Sequence, residues 1–341
     1  MFTPTMNQKR VVQSTGSPNS PIAIVGDVCD GFDVNEMKPF SGPGGTILDQ
    51  CLHAADLIRG TTYLTKLIKE RPVKKLKNGN EFFQKKGPNI VFSAKGMEYV
   101  EQLREELNNL NCNVIVAAGP AAFAAICGLG KHSTYRGYVF LSEGLNRTIK
   151  VIPTHDPSVA MRGMYIYRHM IVADLRKAKV ESSASEYVPP ERNLVYDLDD
   201  CFEVLKWLDY YAEQDVVGCD IEVLNYEVSC LSFSSDPSVA ISIQITDMWD
   251  IEEEMAIWRG IAKVLGNPKS EKVFQNGIFD VHFLRTRNNI VVEGPIKDTM
   301  IMHSIMFPEL PKGLGFLGSI YCGSQPYWKD SVKFTNIKGD S

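Results

Sequence analysis

Two consecutive α/β domains are expected, over residues 21–178 and 193–341, joined by a linker at 179–192. Three observations predict this. In the first half, β-branched apolar runs alternate with helix-period segments, the order of a mostly parallel sheet flanked by helices. In the second half, Val216-Val217-Gly218-Cys219 and Lys272-Val273-Phe274-Gln275 each lead into a polar motif, which puts those motifs at buried strands. Between the halves, Glu181-Ser182-Ser183-Ala184-Ser185-Glu186-Tyr187-Val188-Pro189-Pro190 has the Ser-rich, then Pro-Pro composition of a linker. At 341 residues, each domain is large enough to bury its own core.

Met1 to Ser20 is polar and lacks the apolar core of a secretion signal, so residues 1–20 are expected to be a disordered tail. Pro21 to Gly26 reads as a buried strand, and Thr46 to Ile58 as a helix with Leu48, Leu52, Ala55 and Ile58 on one face. Tyr63 to Ile68 is a second strand, Met97 to Leu110 a surface helix, and Asn113 to Gly119 a third strand. Pro120 then suits the first turn of a helix. Neither a Gly-x-Gly-x-x-Gly loop nor a Lys-Ser/Thr phosphate loop is present, which argues against a nucleotide-binding half.

No run of 18 apolar residues occurs, so no membrane partner is expected. None of the eight cysteines sits in a Cys-x-x-Cys pair, which weakens zinc and disulfide readings and favours small buried hydrophobes in a reduced cytoplasm. The net charge of −5 conceals an asymmetry: residues 1–180 hold 23 Lys and Arg against 15 Asp and Glu, and residues 181–341 hold 13 against 26. A basic first half suits contact with a phosphate backbone.

Asp220-Ile221-Glu222 carries the clearest chemistry. Alternate strand positions point both carboxylates to one face. With Asp280 of Asn276-Gly277-Ile278-Phe279-Asp280, such oxygens suit a two-metal Mg²⁺ or Mn²⁺ site for phosphodiester cleavage. Taken alone, Asp-x-Glu at a strand end is more simply a pair of solvated side chains.

Residues 190–330 resemble the 3′→5′ proofreading exonuclease of family A DNA polymerases, with several blocks in order. These are Gly218 to Val223, Cys230 to Ser234, Gln275 to Leu284 and Ile296 to Met300. The stretch from Leu310 to Asp330 looks most like phage polymerases. The resemblance implies an RNase H-like mixed sheet, with Asp220, Glu222 and Asp280 as catalytic metal ligands. Asn276 and Phe279 would lie by the 3′ end, Phe279 where many relatives carry Tyr, and Asp298 would be structural. DNA is the implied partner, as a single-stranded 3′ end and as duplex.

The family completes its site with a downstream Tyr-x-x-x-Asp block. Tyr327-Trp328-Lys329-Asp330 has the wrong spacing, so the exonuclease domain is expected to be incomplete at its C-terminus and weakly active in isolation. The expected whole is the N-terminal portion of a replicative family A DNA polymerase, the rest of which could be a separate polymerase chain, in the cytoplasm of a phage host.

Residues 20–178 resemble the uracil-DNA glycosylase superfamily, closest to its family 4 type, which implies an α/β/α sandwich. Pro39 to Gly45, Lys69 to Pro72, Ala118 to Ala122, Tyr135 to Gly137 and Pro153 to Ser158 match its blocks in order. The implied pocket comprises Asp27, Phe40, Lys66, His155 and Asp156. Phe40 is retained as the ring that stacks on a flipped base. Lys66 replaces an Asn that reads the uracil edge, and Asp156 falls where a His is expected, unless the loop slips to use His155. A carboxylate there would repel the leaving anion. Glu70 replaces one cluster cysteine, so no iron–sulfur cluster is expected. A degenerate DNA-binding module is the favoured reading. An active glycosylase of altered base specificity and a non-catalytic replication adaptor are the alternatives.

Overall fold

The computed structural model describes residues 11–161 and 163–322; Met1 to Arg10 and Tyr327 to Asp330 lie outside the described residues. The chain forms two compact units, one running to Val188 and resuming at Gly315, the other being Pro189–Leu314.

The first unit is built on a five-stranded sheet in the order Tyr63–Ile68, Ile22–Val28, Val114–Ala118, Lys150–Thr154, Phe140–Leu141. The first four strands are parallel and the last is antiparallel. Alternation along Ile22–Val28 divides the core. Ala23 and Val25 face Leu103, Leu107, Phe123 and Ile126 of the helices Ala94–Asn108 and Pro120–Cys127. Ile22 and Ile24 face Leu48, Leu52, Ile171 and Leu175 of Pro43–Ala54 and Ile166–Glu181. Both faces are covered, which is why these strands read as continuous apolar runs.

Residues 11–20 depart from the expected disordered tail. Val12 is buried, and its N–H donates to Lys69 O at 2.9 Å. Thr15 bridges Leu64, and Ser14 Oγ donates to Glu106 at 2.6 Å. Tyr63–Ile68 is an edge strand with free backbone groups. A polar segment can satisfy those groups through its main chain without any apolar signal in its sequence.

Two further boundaries differ from the expected ones. The helix Ile166–Glu181 runs into the expected linker 179–192, and buried Lys150 Nζ donates to Ala184 O at 2.9 Å and Glu186 O at 3.3 Å. At the other end, residues 315–322 pack with the first unit rather than with 193–314. Their helix, Leu314–Tyr321, is held by a buried polar network. Arg136 pairs with Asp174 at 2.6 Å and also donates to Ser319 Oγ. Thr154 Oγ1 donates to Asp174 at 2.6 Å, Lys177 Nζ to Ser319 O at 2.7 Å, and Tyr138 OH to Gly315 O at 2.6 Å.

The second unit has a six-stranded mixed sheet, ordered Asn193–Val195, Val239–Gln244, Glu227–Asp236, Val216–Leu224, Glu271–Phe274, Ile296–Asp298. Its centre is an antiparallel hairpin, turned at Asn225 and Tyr226 with φ of 50° and 66°. The flanking pairs, beyond the antiparallel neighbour Val239–Gln244, are parallel. Helices Cys201–Ala212 and Ile251–Leu265 pack Val204, Leu208, Ile257 and Ile261 onto Val217, Leu231 and Ile243.

Candidate functional sites

On Val216–Leu224, Val217, Cys219 and Ile221 are buried while Asp220 and Glu222 are exposed, the alternation expected of the motif. The parallel ladder to Glu271–Phe274 ends at Gly218 and Val273, so Ile221 has no strand partner on that side. Asp280 takes its place. From the first turn of the helix Ile278–Arg287, buried Asp280 accepts the Ile221 N–H through Oδ1 at 3.1 Å. Burial raises the Asp280 carboxyl above its usual range, and the Asp298 and Glu222 charges add to that.

The turn at Asn276 and Gly277, which leads to Asp280, is shaped by Asp298. Its Oδ1 accepts from Asn276 N at 3.2 Å and Met300 N at 2.8 Å, and its Oδ2 from Gly277 N at 2.8 Å. It thus caps the helix Thr299–Met306 and clamps the turn from which the helix bearing Asp280 springs. Asn276 sits in the left-handed region at φ 62°, and a Cβ on Gly277 would lie 2.3 Å from that of Phe274. Both carboxylate oxygens of Asp298 are engaged by backbone donors, which makes it a positioning residue. Asn276 is exposed, and Phe279 is exposed beside Phe283, with ring centroids 5.8 Å apart.

Among the described residues, no group of three or more His, Cys, Asp or Glu is drawn together closely enough to hold a metal ion. By donor type, Asp220, Glu222 and Asp280 fit Mg²⁺ or Mn²⁺: they supply carboxylate oxygens only, and the like charges around Asp280 favour a cation.

In the first unit, Phe40, Lys66, Asp156 and Asp27 converge. Arg59 donates to Pro39 O at 2.9 Å and Phe40 O at 3.0 Å, fixing Phe40 in the left-handed region at φ 55°. Gly45 permits this, because a Cβ there would stand 1.8 Å from Phe40 O. Lys66 pairs in register with Gly26, and a Cβ on Gly26 would lie 2.8 Å from both Lys66 Nζ and Phe40 Cζ. The lysine therefore lies across the bare backbone, its Nζ 3.8 Å from the Phe40 ring centroid and 4.0 Å from Asp156 Oδ2. Lys66 and Phe40 are only 6% and 5% exposed, so the ammonium occupies one face of the buried ring.

Asp156 itself caps the following turn through Ser158 N at 2.8 Å. His155 turns to Tyr167, with ring centroids 4.4 Å apart, and to His132 at 5.8 Å. Burial lowers His155 to about 3 and His132 to about 4. Glu70 pairs with Lys95 at 2.6 Å.

Asp27 accepts the Ala122 N–H at 2.8 Å at the start of Pro120–Cys127. Burial raises its carboxyl from 3.8 to about 7, outweighing the backbone donors and Lys66. The folded state holds this proton more tightly than the unfolded chain, so its contribution to stability falls as pH rises from 3.8 to about 7. The buried histidines act oppositely, losing stability as pH drops below 6.5. Asp27→Asn is expected to gain on wild type in urea unfolding as pH rises from about 5 to about 8. Parallel curves would show that Asp27 is not buried as a neutral acid.

Residues 13–176 match the model of the uracil DNA glycosylase superfamily, and residues 197–334 match a 3′–5′ exonuclease model. The chain thus carries a uracil-DNA-glycosylase-like domain followed by a 3′–5′ exonuclease domain. Similar solved structures include the catalytic core of RRP6 from Trypanosoma brucei, at 16% identity over 43% of this chain and 38% of that one, with TM-score 0.32. RNase D of Escherichia coli, an exoribonuclease, is 16% identical over 42% and 36%, with TM-score 0.31. The Nibbler EXO domain of Aedes aegypti is 11% identical over 46% and 81%, with TM-score 0.35. The chain spans well under half of the RRP6 core and of the Escherichia coli RNase D structure. No curated protein matches it.

Proposed function

We propose that this chain removes nucleotides from the 3′ end of DNA, as a proofreading activity in replication alongside a family A polymerase. One observation carries the reading: the Asp280–Ile221 bond seats a third carboxylate against the strand that bears Asp220 and Glu222. Asp220, Glu222 and Asp280 would hold the divalent ions. Those ions, when bound, supply Lewis acidity to the attacking water and the leaving oxygen. Asp298 keeps the Asn276-Gly277 turn in place, which fixes the start of the helix bearing Asp280. The exposed ring of Phe279 provides a stacking face for a terminal base.

The first domain is read as a DNA-binding module that does not excise bases, because Lys66 fills the face of Phe40. The test uses the whole chain with a 5′-labelled oligonucleotide, Mg²⁺, and separate Mn²⁺ titration. Expected are a slow ladder from the 3′ end, removed by EDTA, and Mn²⁺ binding lost in Asp220→Ala. Internal cuts, or no Mn²⁺ binding, would overturn the proposal. On duplexes containing uracil or hydroxymethyluracil, alkali should reveal no abasic sites. Their appearance would establish the glycosylase alternative.

A further inference from the structure

After Arg71 the chain leaves the five-stranded sheet and builds a small antiparallel one from Lys75–Leu76, Gly79–Asn80, Phe83–Lys86 and Asn89–Phe92. From residue 71 to 92 it holds six basic residues, Arg71, Lys74, Lys75, Lys77, Lys85 and Lys86, against one acid, Glu81. All six are exposed. Among the described residues no carboxylate forms an ion pair with any of the five lysines. The Glu81 carboxylate is instead committed to the backbone, accepting from Val73 N at 3.0 Å and Lys74 N at 2.5 Å.

This is a built surface rather than a loose loop. Phe82 is fully buried beneath it, edge-on to Tyr99 with ring centroids 5.5 Å apart. Ser93 Oγ donates to Glu81 O at 2.7 Å, and Gly96 lets the next helix approach the Phe82 carbonyl. Nearby Lys66 and Lys69 behave differently: the first is buried over Phe40 and the second pairs with Glu106. Five lysines without an ion pair among the described residues therefore surround the small sheet, with Lys85 and Lys86, consecutive on one strand, facing its two sides.

We propose that this sheet is a docking surface for the phosphate backbone of duplex DNA. The proposal rests on the reading above that DNA is the substrate. Lysine ammonium groups act as point charges on phosphates and carry no base discrimination, so the surface would hold duplex of any sequence. Each phosphate neutralised adds a slope of about −0.9 to log K against log salt.

The test is fluorescence anisotropy of the whole chain with a short labelled DNA duplex, in EDTA so that nothing is cleaved, over a salt titration. The variant combines Lys74→Glu, Lys75→Glu, Lys77→Glu, Lys85→Glu and Lys86→Glu. A control variant reverses the exposed Lys206 and Lys269. Circular dichroism and melting check that each remains folded; if the fivefold variant does not, the two-residue variant Lys85→Glu with Lys86→Glu replaces it. Affinity should fall at least about tenfold for the variant, and the slope should lose about 0.9 per contact removed. The control should match wild type. Unchanged affinity and slope in a folded variant would overturn the proposal. So would tighter binding of an RNA duplex, or loss of low-salt self-association in place of DNA binding, which would point to the acidic half of a second copy. If charge reversal abolishes DNA binding while wild type never trims a 3′ end, the docking surface stands and the exonuclease reading fails. If trimming occurs but charge reversal leaves binding intact, the reverse holds.

Discussion

Asp220→Ala is expected to cut Mg²⁺-dependent release of 3′ nucleotides by about a thousandfold, with no shift in the unfolding midpoint of the second unit. Loss of metal stabilisation of developing charge is worth several kcal/mol, and each 1.36 kcal/mol is about a factor of ten. Asp220 is exposed, so the fold does not depend on its removal from water. Asp280→Ala should lose activity to the same extent and stability as well. It leaves the buried Ile221 N–H without an acceptor, a cost of about 1–3 kcal/mol. Asp280→Asn separates the two effects, because an amide oxygen can still accept that N–H while the charge is gone. Equal stability loss in all three variants, or retained activity in Asp280→Asn, would remove Asp280 from the site. Single-turnover rates with Mg²⁺, paired with urea unfolding, provide both readouts.

The largest expected effect on stability is at Arg136. Arg136→Ala should destabilise the first unit by about 3–5 kcal/mol, the range for breaking one side of a buried pair. Arg136 and Asp174 are 3% and 0% exposed. Burial pushes the Asp174 carboxyl up to about 6 against the pull of Arg136, and removing the guanidinium leaves that buried carboxyl without its closest ion-pair partner. A domain of this size loses about 2–4 °C of Tm per kcal/mol. Arg136→Ala with Asp174→Leu should recover part of the loss, since no unpaired charge remains. A drop under about 1 kcal/mol for the single variant would mean that water reaches the pair.

Much of this architecture is legible in the sequence wherever one segment decides the outcome. The strands Ile22–Val28, Tyr63–Ile68 and Val114–Ala118 and the helices Pro43–Ala54 and Ala94–Asn108 lie within a few residues of their periodic signals. Asp220 and Glu222 follow from alternation on one strand. Features that depend on a distant partner are not legible. That Asp298 clamps Asn276 and Gly277 depends on a left-handed backbone, and that Lys66 rests on Phe40 depends on Gly26 beneath it. The basic sheet escapes because strands of two and four residues carry no usable period. Residues 11–20 escape because, beyond the single buried Val12, they are held by main-chain pairing and polar side chains.

The division of the chain at Val188 and Gly315 bears on the order in which a ribosome would deliver the parts. Everything from Pro189 to Leu314 leaves the ribosome, and can collapse around its own core, before Ser319 is free to receive Arg136. The first unit, begun earliest, is finished after the second. During that interval Arg136 and Lys177 lack the oxygens of Ser319, and the surface where the helix Leu314–Tyr321 will settle is open to water. A nascent chain with only the residues up to Leu314 outside the ribosome would present that surface to chaperones, with the nuclease strands already in place.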